Sequence, residues 1–180
     1  MSILAMYEGG QWHCPARVLT HLDDITTVLA EQGVELMQLP PPLSDDAAQL
    51  LKQSIALIVA KGLPAPQVSR MEERAGVPGY AEAPSELTAQ DITCSAGKWV
   101  LICAGQARLC VDAADNVNGR ATVLACHAGD LLWLPAGAEW ALVPALSRSC
   151  RWLNMARDEA SLNDHDAIQS NLSELQLLDI

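Results

Sequence analysis

Gly129-Asp130-Leu131-Leu132-Trp133-Leu134-Pro135-Ala136-Gly137 is a turn, a short apolar run and a second turn. Gly-Asp and Pro-Ala-Gly carry turn chemistry, because Gly, Pro and Asp each favour a local reversal for a separate backbone reason. The apolar run between them is too short for a helix and fits a buried strand. The same grammar extends in both directions. Trp99–Cys103, Arg108–Val111, Ala121–Cys126, Leu131–Leu134, Glu139–Val143 and Cys150–Met155 are β-rich runs, parted by Ala104-Gly105, Asn118-Gly119, Gly129-Asp130, Pro135-Ala136-Gly137 and Pro144. Short strands at a spacing of roughly 8–12 residues predict a barrel or double-sheet jelly roll.

Upstream the texture is helical. Thr20 is expected to cap a helix running to about residue 32, with Asp23 favouring the same start through the helix dipole. Ile25, Val28 and Leu29 form its apolar stripe, and Gly33 stops it. Pro40-Pro41-Pro42 forces an extended break. Ser44 is expected to cap a second helix, whose stripe is Leu50, Leu51, Ile55, Ile58 and Val59 and whose end is Gly62. Residues 63–90, broken by Pro64, Pro66, Pro78 and Pro84, read as an irregular covering arm. Beyond Asp158 the tail is polar, with Ile168, Leu172, Leu175 and Leu178 spaced for a last amphipathic helix. The chain therefore reads as mainly β with N-terminal helices. It forms a single domain over 1–180, with an arm over 1–90, a barrel core over 91–157 and a tail over 158–180.

The 180 residues suffice for a core without staples. Half are hydrophobic and 18% are charged, which argues against disorder. A net charge of −11 disfavours nucleic acid and anionic membranes as partners. No apolar run approaches the ~20 residues of a membrane span, and the N-terminus lacks the regions of a signal peptide. The expectation is a soluble, cytoplasmic protein. None of the six cysteines lies in a Cys-x-x-Cys pair, so disulfides are not expected. Cys103, Cys110 and Cys126 sit in apolar runs and are expected to pack as small hydrophobes. Phosphate-binding loops, dinucleotide fingerprints and Gly-x-Ser-x-Gly elbows are absent from the sequence.

Two stretches carry a resemblance. Thr20-His21-Leu22-Asp23-Asp24-Ile25, followed by Leu29-Ala30-Glu31-Gln32-Gly33-Val34-Glu35, resembles the N-terminal segment of acireductone dioxygenases. Residues 129–137 resemble the second motif of the same family within the cupins. The resemblance spans residues 1–157 and implies a cupin-type double-stranded β-helix. It also implies one Fe(II) or Ni(II) ion that opens an acireductone to dioxygen. Such a site takes a His-x-His pair, a Glu a few residues later and a His after the Pro-Ala-Gly turn. Imidazole and carboxylate donors on facing strands hold an octahedral ion while leaving positions open for substrate.

The chain departs from that pattern. Its first motif falls on Asp91-Ile92-Thr93-Cys94-Ser95-Ala96-Gly97-Lys98. Ile92 and Cys94 stand where the family has His-x-His, and Lys98 stands where it has Glu. Glu139-Trp140 stands where His-Trp is expected, with the loop one residue short. Of the four histidines, His13, His21, His127 and His165, none is paired at ligand spacing. The expected reading is a degenerate cupin without metal or other cofactor, binding a small molecule or a protein partner. Its candidate pocket gathers Asp91, Ile92, Cys94, Lys98, Trp99, Trp133, Glu139 and Trp140. Lys98 and Glu139 are the candidate catalytic pair, Lys98 holding a carboxylate or enolate and Glu139 accepting a proton. Four alternatives stay open. Lys98 and Glu139 can be solvated at the rim with the tryptophans in the core. The chain can be a metal-free isomerase, cyclase or lyase acting through Lys98, Glu139 or Cys94. Asp91, Cys94 and Glu139 can form a replacement metal site. The dioxygenase can persist with a rebuilt centre. Edge strands leave a homodimer open.

Overall fold

The computed structural model describes residues 2–9, 11–41, 43–44, 46–74, 92–93, 96–112, 120–145, 149–163, 165–166 and 172, with 92–93 and 165–166 as backbone. Two antiparallel sheets face each other. The first holds β1 (Ile3–Tyr7), β2 (Arg17–Leu19), β5 (Ile92–Thr93), β7 (Gln106–Asp112), β8 (Ala121–His127), β10 (Glu139–Pro144) and β12 (His165–Asp166), in the order β12-β5-β10-β7-β8-β1-β2. The second holds β3 (Glu35–Gln38), β4 (Val68–Arg74), β6 (Lys98–Ala104), β9 (Asp130–Leu134) and β11 (Cys150–Ala156), in the order β3-β9-β6-β11-β4. This is the jelly roll that the strand spacing predicts.

All six predicted strands are present, each a residue or two longer at one or both ends. The arm expected over residues 63–90 is not irregular throughout. Residues 68–74 form β4, which pairs with β11 along its whole length, from Cys150 opposite Arg74 to Ala156 opposite Val68. Residues 1–90 also supply β1, β2 and β3 to the sheets. Residues 75–91 lie outside the described residues, as do Ile168, Leu175 and Leu178 of the proposed tail helix. Leu172 is buried.

Helix α1 (Leu22–Glu31) buries Ile25, Val28 and Leu29, the predicted stripe. Its N-cap is His21, not Thr20, and no side chain caps it. Helix α2 (Ala47–Ala60) starts two residues later than a Ser44 cap would place it. Asp46 is its N-cap, and its carboxylate accepts from the Ala48 N–H at 3.0 Å. The short helix α3 (Glu159–Leu162) follows β11.

Strand alternation sorts the core. The interior takes Val100 and Ile102 of β6, Leu109 and Val111 of β7, Leu124 and Cys126 of β8, Leu132 and Leu134 of β9, Trp140 and Leu142 of β10, and Trp152 of β11. The outer face of the second sheet takes Trp99, Leu101, Leu131, Leu153 and Met155 under α2. The outer face of the first sheet takes Ala5, Tyr7, Cys110, Val123 and Ala141 beneath Trp12 and Leu172. Each fully buried aliphatic side chain contributes about 1.5–3 kcal/mol.

The Gly129-Asp130 turn between β8 and β9 is built by its own residues. Gly129 has φ +96°, a left-handed conformation that disfavours side chains. Asp130 Oδ2 accepts from the His127 N–H at 2.8 Å, and its Oδ1 accepts from Gln38 Nε2 at 2.9 Å. Burial pushes the Asp130 carboxyl above its usual range, and these two bonds pull it back.

Candidate functional site

Lys98 opens β6 and is fully buried. Alternation gives it the face of Val100 and Ile102, so its side chain enters the barrel. Its Nζ lies 4.5 Å from the centroid of the Trp140 ring. An ammonium over an indole face is attracted by the ring quadrupole, by up to about 2 kcal/mol when desolvated.

Glu139 does not share that face. On β10, Trp140 and Leu142 belong to the interior and Ala141 to the outer cluster, so Glu139 falls with Ala141. Its register partner on β7 is Asp112, in the row that continues through Ala121 to Tyr7. Expected as the partner of Lys98, Glu139 thus stands on the opposite side of the sheet, and Trp140 takes the inward place. Backbone pairing sets Ile92 opposite Trp140 and Thr93 opposite Glu139. Asp91 and Cys94 lie outside the described residues.

The tryptophans are likewise divided. Trp99 and Trp133 stack on the outer face of the second sheet with centroids 5.0 Å apart and planes tilted by 52°. They line a shallow surface cleft with Glu35, Leu63 and Pro64. Trp133 also lies on Gly97, where an added Cβ would stand 2.2 Å from the ring. Trp140 stands inside the barrel, so the three rings do not wall one pocket.

Three residues outside the expected set join Lys98 and Trp140. Asn154 on β11 pairs with Val100, and Trp152 pairs with Ile102, which puts both on the interior face. Glu72 on β4 pairs with Trp152. Asn154 Nδ2 donates to Glu72 Oε1 at 2.7 Å. Trp140 Nε1, Trp152 Nε1 and Asn154 Oδ1 are buried and find no hydrogen-bond partner among the described residues. The available signal was an Asn inside the apolar run Trp152-Leu153-Asn154-Met155, two residues from a Trp and therefore on its face.

The expected thiol packing holds. Cys103, Cys110, Cys126 and Cys150 are buried, Cys14 is exposed, and none of these five forms a disulfide. Burial pushes the Cys103 and Cys150 thiols up to about 11, and Cys126 is also raised, by burial first and then by the Asp130 charge. Among the described residues, no three His, Cys, Asp or Glu side chains gather where they could hold a metal ion. No helix among them is long and apolar enough to cross a membrane.

No protein-family model matches the chain, and no curated protein matches it. Solved structures do. Acireductone dioxygenase from Bacillus anthracis, with a cadmium ion in its active centre, superposes with a TM-score of 0.64 at 14% identity, covering 92% of this chain and 98% of that one. The epimerase RmlC from Legionella pneumophila gives a TM-score of 0.42 at 14% identity over 69% of this chain and 66% of that one. A Bacillus subtilis oxalate decarboxylase gives 0.38 at 17% identity, over 55% of this chain and 22% of its own. The first of these likenesses, taken with the two-sheet topology, establishes that the chain has the cupin fold.

Proposed function

We propose that this protein is a cupin that works without a metal ion and binds a small organic molecule in the interior of its barrel. The observation that carries the reading is the Lys98 Nζ, 4.5 Å from the Trp140 ring inside the barrel. An octahedral Fe(II) or Ni(II) centre needs imidazole and carboxylate donors. Among the described residues, Val100 shares the strand face of Lys98, Leu134 lies opposite it and the Trp140 ring faces its Nζ, and none of these three carries a donor for that ion. A metal-free isomerase or lyase using Lys98 and Glu139 is less well supported, because Lys98 of β6 enters the barrel while β10 turns Glu139 to the outer face. Binding needs only the interior wall.

The test is metal analysis of the purified full-length chain, with thermal unfolding in added Fe(II) or Ni(II) alone. The expected result is far less than one ion per chain and no metal-dependent rise in Tm. One iron or nickel per chain together with acireductone turnover would overturn the reading.

A further inference from the structure

The barrel interior is hydrocarbon almost throughout, yet three polar atoms within it are left without partners among the described residues: Trp140 Nε1, Trp152 Nε1 and Asn154 Oδ1. Their residues are 2%, 4% and 3% exposed. Each such group costs about 1–3 kcal/mol when buried unpaired. Three in one region of a packed core is a concentrated cost.

Register and contacts place them together. Along β11, Asn154 lies opposite Val100 and Trp152 opposite Ile102. At one end of this stretch Lys98 reaches the Trp140 ring. At the other end Arg74, opposite Cys150, donates to the Leu142 carbonyl at 3.4 Å. These two bridges between the sheets bracket Asn154 and Trp152, and they bring Trp140 of β10 against the same stretch. The amide of Asn154 is oriented by its neighbour. Glu72 can only accept, so Nδ2 must face it at 2.7 Å and Oδ1 is turned to the interior.

The set is thus two fixed donors and one fixed acceptor, flanked by the cations Lys98 and Arg74 and by the Glu72 carboxylate. The donors suit an oxyanion. The acceptor excludes one and calls for a hydroxyl. Val100, Ile102 and Leu142 belong to the same interior cluster as the two tryptophans. Resting on the metal-independent reading above, we infer that Trp140, Trp152 and Asn154 recognise a small hydroxy acid. Its carboxylate accepts from the two indole N–H groups, and its hydroxyl donates to Asn154 Oδ1.

Proton–nitrogen correlation spectra of the full chain test this. Trp140→Phe and Trp152→Phe identify the two indole signals. If either variant fails to fold, contacts with Leu142 and Ile102 assign them in the unsubstituted chain. Glycolate should move both signals to lower field and saturate. Acetate should bind about tenfold more weakly, one hydrogen bond being lost. Ethylene glycol should leave both signals in place. Asn154→Leu should abolish the preference for glycolate over acetate. Signals unmoved by glycolate, or cross-relaxing with a buried water only, overturn the inference. So does an equal response to ethylene glycol. Metal content of the same sample separates the two readings. A metal-free sample with unmoved indoles sinks the hydroxy-acid assignment and leaves the metal-independent barrel standing. An iron- or nickel-loaded, turning-over sample sinks the latter.

Discussion

The two interior walls of the barrel treat buried polarity differently. The wall made by β1, β7 and β8 presents Leu4, Met6, Leu109, Val111, Leu124 and Cys126. Its polar member among the described residues, Thr122, is satisfied: its hydroxyl lies 3.0 Å from Gln32 Oε1 and 3.4 Å from the Val111 carbonyl. The wall made by β6, β11 and β4 holds Lys98, Asn154 and Trp152 and leaves two polar atoms unmatched, and Trp140, which enters from β10 of the other sheet, brings a third to it. The first wall is built for stability. The second tolerates a cost that stability alone does not require, which is the pattern expected where a ligand supplies the missing partners.

The sharpest way to break this comparison is to cut into the apolar wall. Leu124→Ala removes a fully buried side chain and should cost about 2–5 kcal/mol in urea unfolding. A loss well below that range would mean that the wall collapses around the gap and is not the rigid side of the barrel.

A matched pair of polar deletions sharpens it. Thr122→Val removes a satisfied hydroxyl from the first wall and should cost about 1 kcal/mol. Asn154→Leu removes a half-satisfied amide from the second. It loses the Glu72 bond but also an orphaned oxygen, so its cost should be smaller, within about 0.5 kcal/mol of zero. The reverse order in the same unfolding experiment would show that the second wall is the more tightly matched one.

A further effect is alkaline. The Cys103 and Cys150 thiols are pushed by burial from the ordinary 9.0 up to about 11. In the window between these values the folded chain keeps protons that the unfolded chain has released. The associated stability is therefore complete below about 9 and is lost as pH rises towards about 11. Tm should fall across that window. Replacing both cysteines with Ala should flatten part of the slope, and an unchanged slope would assign it to other groups.

Much of the fold was legible because turns and apolar runs are local. The runs from Trp99 to Met155 are buried on both faces and bounded by Gly, Pro and Asp, and α1 buries its whole expected stripe; of the stripe expected for α2, Leu50 and Ile58 are buried and Val59 is exposed. β4 was not legible. Val68-Ser69-Arg70-Met71-Glu72-Glu73-Arg74 has no apolar alternation, because an edge strand that is half solvated needs none. It is stabilised by its pairing with β11, a partner more than seventy residues away.

The site divides along the same line. The sequence by itself determined the jelly roll and the helices. It also placed Lys98 at the head of an apolar strand. Only the tertiary structure decided what Lys98 meets. A strand alternates with period two, so neighbouring residues on β10 take opposite faces. Trp140 falls inward against Lys98, Glu139 falls outward, and the interior faces Asn154 and Trp152 across strands whose pairing no local pattern encodes.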